Sequence, residues 1–467
     1  MTHYDVVVLG AGSGNTVIDK SFAGLSVAIV ERGPFGGTCL NRGCIPSKML
    51  IRPADVVDAA ADGPRLGART SADGADWDAV RDRVFGRLDE VSADGRAYRE
   101  SLPGVDLLSG TARFTGPRAL SVELHDGATV ELTADQVVLA TGSRPVVPDI
   151  DGLDQVEHHT SDDVMRLETF PRRIGVVGGG YIGAELAHVF AAYGATVTQV
   201  ESGEALISNQ DHDISQTFTR IVSQRWDVRL GTSLERVSRA AGGTVMHLDD
   251  GSEVEVDALL LAIGRRPNGD LLDLDRAGVE TDDTGRILVD EHQRTSAEGV
   301  WALGDASSPE PLKHVANQDA RVVKHNLLHP DDLRVSDHRF VPNAVFASPQ
   351  VAAVGLTEAE AREQGLDLAV ARHEYGDTAF GWALEADDRH GEAAGYLVKL
   401  LADRATGRLV GAHLLGPQAS LLVQPLIQAM SFDQPVADLA RGQYWIHPAL
   451  TEVVENALLA LAGELAG

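Results

Sequence analysis

Cysteine is nearly absent, with two residues in a chain of 467. A framework of structural disulfides is therefore excluded, and a reducing cytoplasm is the expected compartment. Lysine is scarce too: five lysines stand against 35 arginines. Together the basic residues number 40 against 69 acidic ones, for a net charge of −29. A surface of that sign repels phosphates, so neither nucleic acid nor an anionic membrane is an expected partner. No run of eighteen apolar residues occurs, and no membrane-spanning helix is expected. The opening "MTHYDVVVLG" has no basic start and enters an apolar run at once, which argues against a secretory signal. Such acidity with so little lysine suits molar salt, where a Debye length of about 3 Å removes self-repulsion. A halophilic source is the resulting expectation.

The two cysteines stand together in "FGGTCLNRGCIPSKML", residues 35–50, with four residues between them. In a regular helix, Cα atoms at that spacing lie roughly 8–9 Å apart, whereas a disulfide needs about 4.4–6.8 Å. Cys39 and Cys44 can pair only across a bend, which Gly43 permits. So small a loop stabilises the fold little. A strained local disulfide is instead the kind that exchanges.

Two stretches share a second pattern. "YDVVVLGAGSGNTVIDKSFAGLSVAIVERG" reads as strand, glycine turn, helix and strand, with Gly10, Gly12 and Gly14 in the turn and Glu31 ending the second strand. "RRIGVVGGGYIGAELAHVFAAYGATVTQVES" repeats it with Gly178, Gly180, Gly183 and Glu201. Glycines in such a turn let the backbone approach a diphosphate at a helix N-terminus, and the acid meets a ribose hydroxyl. Asn15 occupies the third glycine position of the first copy. Two copies imply two dinucleotides in one chain. "VVLATGSRPVVPDIDG" and "LLLAIGRRPNGD" come after the two units as glycine- and proline-marked crossovers. "GVWALGDASS" places Asp305 at the carboxyl end of a strand, where such sheets present ligands. From about Asp337 the pattern becomes antiparallel strands closed by helices.

Taken together, the two turns, "GGTCLNRGCIPSK", "ATGSRP", "GRRPN", "ALGDA" and "HPALTE" resemble the FAD-dependent pyridine nucleotide–disulfide oxidoreductases, in order and over essentially the whole chain. The resemblance implies an α/β fold with two Rossmann-like domains, for FAD and NAD(P), and a C-terminal α+β dimerisation domain. Its bounds would be 1–150 and 269–335 for FAD, 151–268 for NAD(P) and 336–467 for the interface.

It also implies roles for particular residues. Cys44 would contact the flavin as a charge-transfer thiolate, and Cys39 would attack the substrate disulfide, each with a depressed pKa. Lys48, paired with Glu185, would supply positive charge near the flavin. His447, oriented by Glu452, would be the acid–base, reaching the other subunit of an obligate homodimer. FAD would be held by Gly10, Gly12, Gly14, Glu31, Thr38, Lys48, Gly142 and Asp305, with residues 313–316 near the pyrimidine end of its ring. Gly178, Gly180, Tyr181, Gly183, Glu201 and Gly264 would serve the nicotinamide coenzyme, Tyr181 as a lid. No metal site is expected. Glu201 suits NADH, since it would repel a 2′-phosphate, whereas the substrate class suits NADPH, which is the coenzyme expected.

The substrate class is a low-molecular-weight thiol disulfide. Bis-γ-glutamylcystine fits a haloarchaeal source, with Arg42 a candidate for its carboxylates. Mycothione is second, on "DHRFVPNAVFASPQVAAVGLTE" and "ARGQYWIHPALTEVVENALL", and lipoamide is third. Mercuric and large thioredoxin reductases need a second cysteine pair near the C-terminus, which "ALLALAGELAG" lacks. A flavoprotein that senses without turnover is the reading from a different class, and the intact cysteine and His447–Glu452 pairs oppose it.

Overall fold

The apolar run that opens the chain becomes a central strand, Thr2–Leu9, parallel to Val27–Glu31 on one side and Thr129–Leu139 on the other. Both of its faces are covered, Val7 and Leu9 packing into one apolar cluster and Val6 and Val8 into another, which is why it reads as a continuous run rather than an alternation. The computed structural model describes residues 1–387 and 395–467. In it Val105–Gly116 and Ala119–Leu124 extend this sheet, and Val300–Ala302 adds in parallel beside Thr129–Leu139. A second sheet repeats the arrangement with Arg173–Val177 between Thr196–Glu201 and Ala258–Leu261, and Asp227–Leu230 at its edge. From Pro342 onward a five-stranded antiparallel sheet packs against the helix Thr451–Ala466. The architecture is the expected α/β one with an α+β C-terminal part. No helix among the described residues is long and apolar enough to cross a membrane.

The two crossover motifs meet. Ser143–Pro145 and Arg265–Pro267 pair antiparallel, Arg266 opposite Arg144, and so tie the end of one unit to the end of the other. Arg144 closes the ribbon with two bonds to Asp270, at 2.8 and 2.7 Å.

One expectation fails. The helix read between the first two strands is absent, and two single turns of 3₁₀ helix, Gly14–Thr16 and Lys20–Phe22, take its place. Thr16, Val17 and Ile18 are β-branched and poor at sustaining a helix. Asp19 then turns its side chain to the Ser21 amide and hydroxyl, capping a new turn instead of continuing the old one. The Asn15 and Ile18 carbonyls accept instead from the buried guanidinium of Arg99, at 2.9 and 2.6 Å. The second unit keeps a full helix, Tyr181–Ala192.

Candidate active site

Two helices meet at Gly43: Gly37–Arg42 ends there and Cys44–Asp62 begins. This is the bend that the cysteine spacing requires, and a Cβ at Gly43 would come 2.9 Å from the Thr38 carbonyl oxygen. Buried Asn41 braces the loop by donating to the Phe35 and Gly37 carbonyls, at 3.0 and 2.9 Å. Both thiols are free, and both line the same cavity. Cys44 begins the longer helix, where free amides and the dipole favour a thiolate. Pro53 interrupts that helix, and the Met49 carbonyl it releases accepts from Arg83 at 3.4 Å.

One turn beyond Cys44, the Lys48 ammonium lies 2.8 and 2.7 Å from the two carboxylate oxygens of Glu185. Glu185 is 4% exposed and also accepts from the Phe346 amide at 3.0 Å. The pair expected from sequence is therefore formed, and Phe346 is a partner that no motif announced. The Cys44 thiol is brought down to about 6, first by its hydrogen bond from Cys39 and then by the Lys48 charge, against the opposing effect of burial. Cys39 moves the other way, pushed up by the same hydrogen bond and then by burial. The expectation that both thiols are depressed is corrected: the pair shares a proton, and once Cys44 is ionised Cys39 keeps it.

This proton sharing sets a pH dependence. The long-wavelength absorbance of the two-electron-reduced enzyme should be present above about pH 6 and fade below it. A midpoint near about 8.5, where an ordinary thiol titrates, would show that Cys44 is not the ionised member.

The two glycine turns are built alike. Gly10 and Gly178 have φ of +105° and +115°. A Cβ on either would fall 2.3 Å from the Ala140 oxygen or 2.4 Å from the Ala262 oxygen, so only glycine fits. Glu31 accepts from the Ala11 and Gly33 amides at 2.6 and 2.7 Å. Glu201 accepts from the Gly179 and Gly203 amides at 2.5 and 2.7 Å. In the second turn Gly183 sits against the Gly178 oxygen, and Gly180 precedes the helix. Gly264 accepts from the Val146 amide at 3.0 Å, within the paired crossovers.

One cavity is lined by Glu31, Gly10, Gly12, Ser13 and Thr38. Gly142, Asp305, the two cysteines, Lys48 and Tyr181 line the same cavity. Gly14 does not line it, and a Cβ there would strike the Ala140 and Val8 side chains at 2.6 and 2.9 Å. FAD suits the cavity on two grounds. Gly12 and Gly37 stand back to back, and a Cβ on Gly37 would fall 2.6 Å from the Gly12 Cα, leaving bare backbone along the wall. Thr141 Oγ1 and Asp162 Oδ1, both in the lining, are buried without a hydrogen-bond partner, as a polar ligand would require. Asp305 accepts from the Ser143 hydroxyl at 2.7 Å, and Arg265 donates to the same hydroxyl at 2.8 Å. Ser143 and Arg265 lie in the repeated crossover motifs, the signal by which sequence could have found them. Arg42 is not a free cation, because Asp162 pairs with it at 3.2 Å.

His447 stands apart. Its Nδ1 is 2.6 Å from Glu452 Oε1, while the far carboxylate oxygen accepts from the Ala449 amide at 3.2 Å. The imidazole is 71% exposed and does not line the cavity of its own chain. Its neighbours Tyr444 and Ile446 are also exposed, at 104% and 74%. Exposed apolar side chains so grouped mark a surface that meets another protein surface.

Comparison with known proteins agrees with this geometry. Residues 4–320 match the family model "Pyridine nucleotide-disulphide oxidoreductase", and residues 341–458 match the dimerisation domain of the same family. Mycothione reductase of Mycobacterium tuberculosis is 50% identical, over 99% of this chain and 100% of that protein. Dihydrolipoyl dehydrogenase of Haloferax volcanii is 33% identical, over 98% and 97%. Among solved structures, the HOCl-induced flavoprotein disulfide reductase RclA from Escherichia coli superposes with a TM-score of 0.85 at 27% identity, covering 98% of this chain and 99% of that one. The chain belongs to the pyridine nucleotide–disulphide oxidoreductase family and is a flavin-dependent disulfide oxidoreductase of the kind that uses FAD and NAD(P)H.

Proposed function

We propose that the enzyme carries electrons from NADPH through FAD and the Cys39–Cys44 pair to bis-γ-glutamylcystine, giving two molecules of γ-glutamylcysteine in the cytoplasm of a halophile. The observation that carries the reading is the pair of free thiols in the cavity wall, with the Lys48–Glu185 ion pair one turn away. Residues 1–150 and 269–335 form the FAD unit in this reading, 151–268 the NAD(P) unit and 336–467 the interface of a homodimer. Gly10, Gly12, Glu31, Thr38, Lys48, Gly142 and Asp305 hold FAD. Gly178, Gly180, Tyr181, Gly183, Glu201 and Gly264 serve the coenzyme.

Bound FAD supplies the relay that turns a hydride into a pair of electrons for the cysteine disulfide. The chain's own residues do the rest. Cys39 holds the shared proton, so attack on the substrate needs a base, and His447 of a second copy takes that proton. The Cys39 sulfur bonds one substrate sulfur, the substrate S–S bond breaks, and His447 returns the proton to the departing thiolate. Cys44 then attacks Cys39, the mixed disulfide breaks, and the second product leaves as a thiolate that takes a proton from solvent while the Cys39–Cys44 disulfide re-forms. In sum, one NADPH and one proton convert one disulfide into two thiols.

A second substrate, mycothione, is favoured by the 50% identity over the whole chain. Steady-state rates with four disulfides (bis-γ-glutamylcystine, mycothione, lipoamide and glutathione disulfide) separate the readings. Each is run with NADPH and NADH, in dilute buffer and in molar KCl. Activity is expected to rise with KCl, because about thirty unscreened negative charges repel over roughly 10 Å in dilute buffer. Bis-γ-glutamylcystine should then be preferred. Full activity in dilute buffer with a preference for mycothione would overturn habitat and substrate together, while leaving the thiol chemistry in place.

A further inference from the structure

The first glycine loop lacks the element that ordinarily stabilises a bound diphosphate. A helix beginning there would offer free amides and the positive end of its dipole. After Ser13 the chain makes only a three-residue 3₁₀ turn. Positive charge comes to this loop from distant segments instead. Arg99 bonds the Asn15 and Ile18 carbonyls, and Lys324 pairs with Asp19, but neither cation lines the cavity.

Lys313 does line it. From the first position of the helix Lys313–Leu328 it donates to the Ser13 hydroxyl at 2.7 Å, and both residues are in the cavity wall. Lys48, Lys324 and Lys399 are each paired with a carboxylate. Among the described residues Lys313 has no carboxylate partner, and a neutral hydroxyl holds its ammonium. An uncompensated cation against a diphosphate-type glycine turn, in a chain of net charge −29, calls for an anion.

We propose that Lys313 is a cofactor-binding residue whose ammonium neutralises the diphosphate of FAD, taking the place of the missing helix dipole. Its backbone belongs to the segment expected near the pyrimidine end of the flavin, but its side chain reaches back to the glycine loop. The inference rests on the FAD placement proposed above, and its test separates the two: wild-type enzyme purified without FAD would sink that placement, whereas substitutions at residue 313 decide only the role of Lys313.

The test reads FAD release from holoenzyme as the rise of free flavin fluorescence after dilution. Lys313→Met is expected to release FAD about 10–100-fold faster, the loss typical of a charge-assisted hydrogen bond. Lys313→Arg, which keeps the charge, should stay near wild type. The flavin reduction potential, measured by dye equilibration, should not change, because the diphosphate is remote from the ring. Unchanged release in the methionine variant would overturn the proposal. So would equally fast release from the arginine variant, or a shifted potential, which would put the ammonium at the flavin ring.

Discussion

Cys39→Ser is expected to stop disulfide turnover while the reduced enzyme keeps its long-wavelength absorbance. Two features of the pair lead to this. Serine still donates a hydrogen bond, so the main interaction holding Cys44 down to about 6 survives the substitution, as does the Lys48 charge. Serine cannot form a mixed disulfide, so no covalent route to the substrate remains. Cys44→Ser should differ in kind: turnover is again lost, but the absorbance is lost with it, because the ionised sulfur is gone. Spectra of both reduced variants, together with steady-state rates, check the assignment. If both variants reduce the substrate at the wild-type rate, Cys39 and Cys44 do not carry the electrons.

His447→Ala should slow disulfide turnover by about 10²–10⁴-fold, the range for a lost acid–base, while flavin reduction by the coenzyme is spared. The reason lies in the corrected proton inventory. Because its neighbour Cys44 and burial push the Cys39 thiol up, its attack requires a base, and within the cavity of one chain His447 is not present. Glu452 holds the ring through Nδ1 at 2.6 Å and so leaves Nε2 as the free nitrogen. Rapid-mixing measurement of the two half-reactions separates the outcomes. Equal loss in both half-reactions would mean that the substitution damages the interface or the flavin site instead.

Much of the site was legible because it is made of short-range patterns. Gly10 and Gly178 had to be glycine for a reason local to the turn, and Glu31 and Glu201 stood where strand length put them. Lys48 and Glu185 could be paired only through the family resemblance, each standing one turn into a helix beside a recognisable motif. What escaped depends on pairs far apart in the chain. Nothing near residue 15 announces that Arg99, on another helix, will satisfy the carbonyls of an unformed helix. The opposite shifts of the two thiols belong to the pair and not to either residue. That Gly14 must also leave room for Ala140, just past the end of the distant strand Thr129–Leu139, is not visible near the turn. Ser143 and Arg265 were visible as repeats, yet their pairing with each other comes from the tertiary meeting of two similar ends.

The strand Val300–Ala302 completes the first sheet only after the whole second unit has been made. On the ribosome, the segment Val137–Leu139 therefore emerges with one edge unpaired, and its partner arrives about 160 residues later. At roughly 5–20 residues per second, that is a wait of about 8–30 s. An apolar parallel edge left open for so long is a template for pairing with other nascent chains. The time taken to synthesise the inserted unit thus sets how long that edge stays exposed.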